Sequence, residues 1–203
     1  TLLRLLLGLA TPDTGTVSFD GRPVAPDSVP AVRRRVGYVI QRGGLFPHMT
    51  ARENVTLMAR HLGITPERTD ARVAELARLT RFPDAGLDRY PSELSGGQNQ
   101  RVSLMRALML EPAALLLDEL LGALDPMIRF ELQQELRELF ATLRKTVLLV
   151  THDLAEAAEL GHTIVLMNGG EVVFQGDLEA LLAAPAGSFA HRFVRAQRSH
   201  LQD

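Results

Sequence analysis

The sequence predicts an α/β fold, a parallel sheet with a helical insert, and three observations carry that expectation. "PAALLLDE" (112–119) is a continuous apolar run ending in two carboxylates, the pattern of a strand buried on both faces. "KTVLLVTHD" (145–153) repeats the arrangement, and Met127 to Leu143 between the two runs is helical, so strand, helix and strand form a right-handed crossover of parallel strands. From Thr50 to Thr80, Val55, Leu57, Met58 and Leu62, then Val73, Leu76 and Leu79, recur at helical spacing, with Pro66 early in the second helix.

The remaining elements come in chain order. Leu2, Leu3, Leu5, Leu6 and Leu7 form an opening helix. This opening lacks a methionine and starts abruptly on a helix pattern, so a further segment is expected upstream. "GTVSFDGRPV" (15–24) alternates apolar and polar around Asp20-Gly21 and predicts a short hairpin. In "RRRVGYVIQ" (33–41) the β-branched run Val36 to Ile40 is a strand, and Gln41 sits at its exit before a loop holding Gly43, Gly44 and Pro47. "TIVLMNGGEVVFQGD" (163–177) is a hairpin closed by Asn168-Gly169-Gly170, and helices from Leu178 finish the chain. One domain over 1–203 is expected, with a helical subdomain at about 45–110 and C-terminal helices at about 178–203.

Composition narrows the class. A chain of 203 residues with 46% hydrophobic content can bury a substantial core. Its net charge of −2 is spread over mixed signs without a basic stripe, which disfavours nucleic acid as a partner. With no cysteine there is no disulfide framework, no thiolate metal site and no thiol nucleophile. No apolar run reaches the roughly 18 to 20 residues of a membrane span.

Chemistry-bearing residues cluster at the predicted strand ends. In a parallel sheet the loops leaving the carboxyl ends of the strands line the ligand crevice, and Gln41, Asp118, Glu119 and His152 all fall there. An Asp followed by a Glu supplies two tools: one carboxylate to hold Mg²⁺, through water, and one to orient or deprotonate an attacking water. Each segment alone also fits a plainer role: a strand leading into a helix cap for "LLLDE", a packed or surface histidine for His152, a loop glutamine for Gln41. "ELSGGQNQR" (93–101) places a serine and two glycines before a helix, a phosphate-cradle pattern that lacks a nucleotide-binding lysine.

In order and spacing these segments closely resemble the ATP-binding subunit of ABC transporters. Gln41 resembles the Q-loop glutamine, "LSGGQ" (94–98) the signature motif, "LLLDE" (115–119) Walker B, "ALD" (123–125) the D-loop and His152 the switch histidine. The resemblance covers essentially the whole chain and implies a P-loop NTPase-like ABC ATPase core, working as one nucleotide-binding domain with ATP and Mg²⁺. It implies that Glu119 activates water, that Asp118 and Gln41 serve Mg²⁺, and that His152 contacts the γ-phosphate. It further implies that Ser95, Gly96, Gly97 and Gln98 face the ATP held by a second copy or paired subunit, and that Asp125 communicates across that dimer. The helix expected from about Gln98 would aim its positive dipole end at that phosphate. Thr1 matches a position near the α-phosphate, just after a P-loop whose lysine does not occur in the sequence; taken literally, the chain is then expected to bind ATP poorly and hydrolyse it hardly at all. The implied partners are transmembrane permease subunits and a substrate-binding protein, and the implied place of work is the cytoplasmic face of the membrane.

"GLFPHMT" (44–50), "RYPSELSGGQ" (89–98) and "GALDPMIR" (122–129) are similar to importers of glycine betaine, choline, carnitine and related osmoprotectants, while polar amino acid and sulfonate importers share parts of the pattern. Leu45, Phe46, Pro47 and Met49 either line a groove for a coupling helix of the membrane subunit or fold onto the helical insert. Two departures from the family pattern stand out. Leu120 replaces a common proline after Glu119, which puts the placement of the base in question. Asn99 replaces a common glutamine or arginine and is expected on an exposed helix face. A non-transport ABC ATPase would be expected to add a long coiled-coil insert or a tandem cassette. A degenerate module that binds nucleotide without turnover remains a second alternative.

Overall fold

The computed structural model describes residues 1–41, 43–122 and 124–199. Helix α1 (Leu2–Leu6) opens the chain, and the hairpin β1 (Ser18–Phe19) and β2 (Arg22–Pro23) turns at Asp20-Gly21, both with positive φ. Helix α2 (Val29–Arg35) runs directly into β3 (Val36–Val39), and α3 (Ala51–His61), α4 (Pro66–Leu79) and α5 (Gly96–Leu108) separate β3 from β4 (Ala114–Asp118). Then come α6 (Pro126–Leu143), β5 (Thr146–Val150), α7 (Leu154–Leu160), the antiparallel hairpin β6 (Ile164–Asn168) and β7 (Glu171–Gly176), α8 (Leu178–Leu182) and α9 (Phe189–Ser199). Residues 200–203 of the expected C-terminal helices, and Ala123 of the "ALD" segment, lie outside the described residues.

Strands β3, β4 and β5 form a parallel sheet in that order. Side-chain alternation divides β4 between two cores. Leu116 joins Leu3 of α1 and Leu7 just beyond it on one face, together with Tyr38 and Leu148. Leu115 and Leu117 point the other way, into the main core with Val39, Val102, Met105 and Leu108. Burying a leucine in this way contributes roughly 1.5 to 3 kcal/mol relative to exposure. The main core continues without a break into the helical insert through Val55, Ala59, Val73 and Leu76. Gly37 permits the sheet-to-helix approach, because a Cβ there would sit 2.4 Å from the backbone oxygen of Ala107 on α5.

Local signals explain the insert. Thr50 caps α3 by accepting a hydrogen bond from the Glu53 N–H, while Glu53 accepts one from the Thr50 N–H. Pro66 stands in the first turn of α4, where its missing N–H has no consequence.

Three expectations need correction. Helix α2 was not predicted: three consecutive arginines mask helical periodicity, and Val32 is its one buried residue. Strand β5 is half-buried, and Val150 is 36% exposed, because β5 pairs with β4 on one side only among the described residues. Helix α5 begins at Gly96, not near Gln98, so both signature glycines are helical.

Candidate functional site

Strand register brings the strand-end residues together. Val39, Leu117 and Leu149 are in line across the sheet, so Gln41, Glu119 and Thr151, each two residues further on, leave it at one level. Gln41 donates from Nε2 to Glu119 Oε2 at 2.7 Å. His152 Nδ1 lies 3.7 Å from Glu119 Oε1, and its side chain is 72% exposed. The Tyr38 hydroxyl donates to Asp118 Oδ2 at 3.4 Å, and burial followed by the Asp118 carboxylate raises its pKa above the ordinary tyrosine value.

Glu119 marks the end of the sheet. Its N–H still donates to the Val150 carbonyl at 2.9 Å, yet its φ is +48°, a left-handed conformation that costs a non-glycine residue about 1 to 2 kcal/mol. The turn is held from its C-terminal side, where Leu120 and Leu121 are 1% and 0% exposed. Leu120 is therefore a core anchor that fixes the backbone at Glu119, whose side chain stays one-third exposed at 33%.

The serine-glycine segment is a capped helix start. Ser95 Oγ accepts from the Gln98 N–H at 3.2 Å, and Gln98 Oε1 accepts from the Ser95 N–H at 2.9 Å. The serine hydroxyl keeps its hydrogen free to donate, and the N–H groups of the first helical turn have no partners within the helix. The glycines admit the first turn of α6 and the residue before its cap: a Cβ on Gly96 would lie 3.2 Å from Leu124 Cδ2, and one on Gly97 would lie 3.0 Å from Ile128 Cγ2. Asp125 caps α6, accepting from the Ile128 N–H at 3.1 Å. The starts of α5 and α6 thus stand side by side.

Thr1 is exposed at the start of α1, and its side chain makes no capping bond. Asn99 is not on an exposed face: it is half-buried and donates from Nδ2 to the carbonyls of Pro91 at 3.0 Å and Leu94 at 3.3 Å, tying the turn before Ser95 to α5. In the apolar loop, Leu45 packs against the main core while Phe46 is exposed and exchanges hydrogen bonds with Asn54.

Arg106 is a site-organising residue that the sequence reading missed. From α5 it donates to the carbonyls of Gly43 at 2.7 Å and Gly44 at 2.8 Å, and burial lowers its pKa from the usual guanidinium range. One helix therefore carries Ser95 at its start and holds the turn beyond Gln41 near its end. The glycine pair hinted at a tight turn, but nothing in the sequence pointed to an arginine 62 residues away.

The donor set suits a hard cation in part. Asp118 offers a carboxylate, and Gln41 keeps its amide oxygen free while its NH₂ is used. Among the described residues no group of three or more His, Cys, Asp and Glu side chains is arranged to hold a metal alone. Mg²⁺ commonly takes one or two carboxylates and completes its shell with phosphate and water.

An α/β core with a helical insert, and strand-end glutamine, acid pair and histidine at one edge, defines the class, and comparison with known proteins agrees. A family model described as ABC transporter matches residues 1–122, and the chain belongs to that family. The glycine betaine/carnitine/choline transport ATP-binding protein OpuCA of Bacillus subtilis strain 168 is 41% identical over 198 residues, covering 98% of this chain and 52% of that protein. The glycine betaine uptake system ATP-binding protein YehX of Escherichia coli strain K12 is 42% identical over 193 residues, 95% of this chain and 63% of that protein. The sulfate/thiosulfate import ATP-binding protein CysA of Thermosynechococcus vestitus is 44% identical over 194 residues, 96% of this chain and 57% of that protein. The chain thus spans about half the length of the first of these relatives. A solved dimeric ATP-binding cassette in a post-hydrolysis state, bound to ADP and Pi, superposes with a TM-score of 0.76 at 32% identity, covering 87% of this chain and 79% of that one.

Proposed function

We propose that this chain is the ATP-hydrolysing part of an ABC importer, paired with a second copy or a related subunit and with transmembrane permeases. The observation that carries the reading is the convergence of Gln41, Glu119 and His152, with Glu119 within 2.7 Å of Gln41 and 3.7 Å of His152. Glu119 serves as the general base toward water, Asp118 and Gln41 hold Mg²⁺, and His152 meets the γ-phosphate. Bound Mg²⁺ supplies charge neutralisation on the phosphate oxygens. Ser95, Gly96, Gly97 and Gln98 present a hydroxyl and helix-start N–H groups to nucleotide held by the paired subunit, as expected where an anion meets a helix N-terminus. Asp125, beside them at the start of α6, communicates across the pair, and Thr1 lies toward the α-phosphate. Among the described residues no helix is long and apolar enough to cross a membrane. In this reading the permeases hold the chain at the cytoplasmic face. A substrate-binding protein completes the importer.

The transported solute is proposed to be a quaternary-amine osmoprotectant such as glycine betaine or choline. OpuCA and YehX support this, and "GLFPHMT" supports it in sequence. A sulfate-type oxyanion is the second reading, favoured by 44% identity to CysA. Deleting the gene and measuring uptake of labelled glycine betaine and labelled sulfate separates them: loss of the first alone supports the osmoprotectant, and loss of the second alone overturns it.

A further inference from the structure

We infer that Glu156, a buried residue of α7, is a positioning residue for His152, resting on the reading above in which His152 meets the γ-phosphate. The imidazole makes no hydrogen bond among the described residues; its nearest carboxylate is Glu119, 3.7 Å away. What the described contacts hold at this residue is therefore the backbone that carries the ring.

That backbone is tied on both sides of His152. Glu156 Oε2 accepts from the Thr151 hydroxyl at 2.7 Å, and Thr151 Oγ1 accepts from the Asp153 N–H at 3.0 Å. A hydroxyl has one hydrogen, so giving it to Glu156 turns the oxygen lone pairs toward Asp153 and fixes the direction of both bonds. Asp153 then caps α7, accepting from the Ala155 N–H at 2.7 Å and the Glu156 N–H at 3.4 Å, and stands 3.6 Å from Arg129 Nη1. Gln197 of α9 adds a bond to the His152 carbonyl at 3.2 Å. The chain from Glu156 through Thr151 to Asp153 brackets the histidine.

Glu156 is the buried member of this network, at 2% exposure, and the Thr151 hydroxyl is its one side-chain hydrogen-bond donor among the described residues. Burying a carboxyl with so little compensation is unfavourable, and an apolar residue would suit the site better on stability alone. What Glu156 gives that leucine cannot is an acceptor that orients Thr151. Glutamine retains an acceptor oxygen of the same shape.

The test uses the complete gene product, comparing wild type, E156Q, E156L, T151V and H152A for thermal stability and steady-state ATP turnover. Misplacing a reacting group by about 1 Å costs up to about a hundredfold in rate, so E156L and T151V are expected to lower kcat by about tenfold or more. KM for ATP is expected to stay within about twofold, because the ground-state contacts remain. E156Q is expected to keep at least about a third of wild-type kcat by the same acceptor argument. Wild-type kcat in either E156L or T151V, or a loss in E156Q as deep as in T151V, overturns the inference. T151V and E156Q give the answer even if E156L fails to fold. The H152A arm separates the two readings: wild-type turnover there overturns the role of His152 itself, whereas lost turnover in H152A with full turnover in T151V overturns only the role of Glu156.

Discussion

The Gln41 amide and the Glu119 carboxylate meet at 2.7 Å across the end of the sheet, although 78 residues separate them. The bond holds the carboxylate of a residue whose backbone, with φ of +48°, already stands in a left-handed conformation. Replacing Glu119 by glutamine keeps this size and contact but removes basicity. ATP turnover of the complete gene product is expected to fall by at least about a hundredfold, with KM for ATP little changed. Equal turnover by wild type and E119Q in a coupled assay rejects Glu119 as the base.

Arg106 binds two carbonyls of the turn beyond Gln41. Exchanging it for methionine leaves the Gly43 and Gly44 oxygens without their donors, a loss of about 1 to 3 kcal/mol. A lowered denaturation midpoint with an unchanged m-value is expected; an unchanged midpoint shows that these bonds do not hold the turn.

Gly37 to alanine tests the seam between β3 and α5. The added Cβ would stand 2.4 Å from a backbone oxygen, which cannot rotate away, so destabilisation of about 1 to 3 kcal/mol is expected. A melting temperature equal to wild type contradicts the close approach.

Glu156 gives stability a pH signature. Burial raises its carboxyl pKa in the folded state above the ordinary 4.5, so the folded chain binds this proton more tightly than the unfolded chain does. Its contribution is fully present below the unfolded value and is lost as the pH rises through the folded one. Wild type is therefore expected to lose stability relative to E156Q as the pH increases upward from about 4.5, read from paired melts across pH. A constant difference rejects the shift.

Strand ends were legible in the sequence because they arise from local pattern. The run Leu115 to Leu117 is buried on both faces, and Asp118 and Glu119 fall at its exit, as their order alone predicted. The helical insert was legible for the same reason, with Pro66 in a first turn. The features that escaped depend on particular side-chain hydrogen bonds, some between near neighbours and, for Arg106, one spanning 62 residues. Asn99 looked like a surface residue until its bonds to Pro91 and Leu94 were seen, and Arg106 and Glu156 owe their roles to carbonyls and a hydroxyl that no periodicity marks. Helix α2 was hidden because its arginines carry no apolar stripe.

The account rests on two cassettes closing face to face, so that the helix start at Ser95 of each completes the nucleotide site of the other. The most direct measurement is the molar mass of the complete E119Q gene product with ATP and Mg²⁺, by size-exclusion chromatography with light scattering. A dimer that forms with ATP and is lost on S95R substitution is the predicted result. A monomer at saturating ATP, or a dimer indifferent to both ATP and Ser95, contradicts the account.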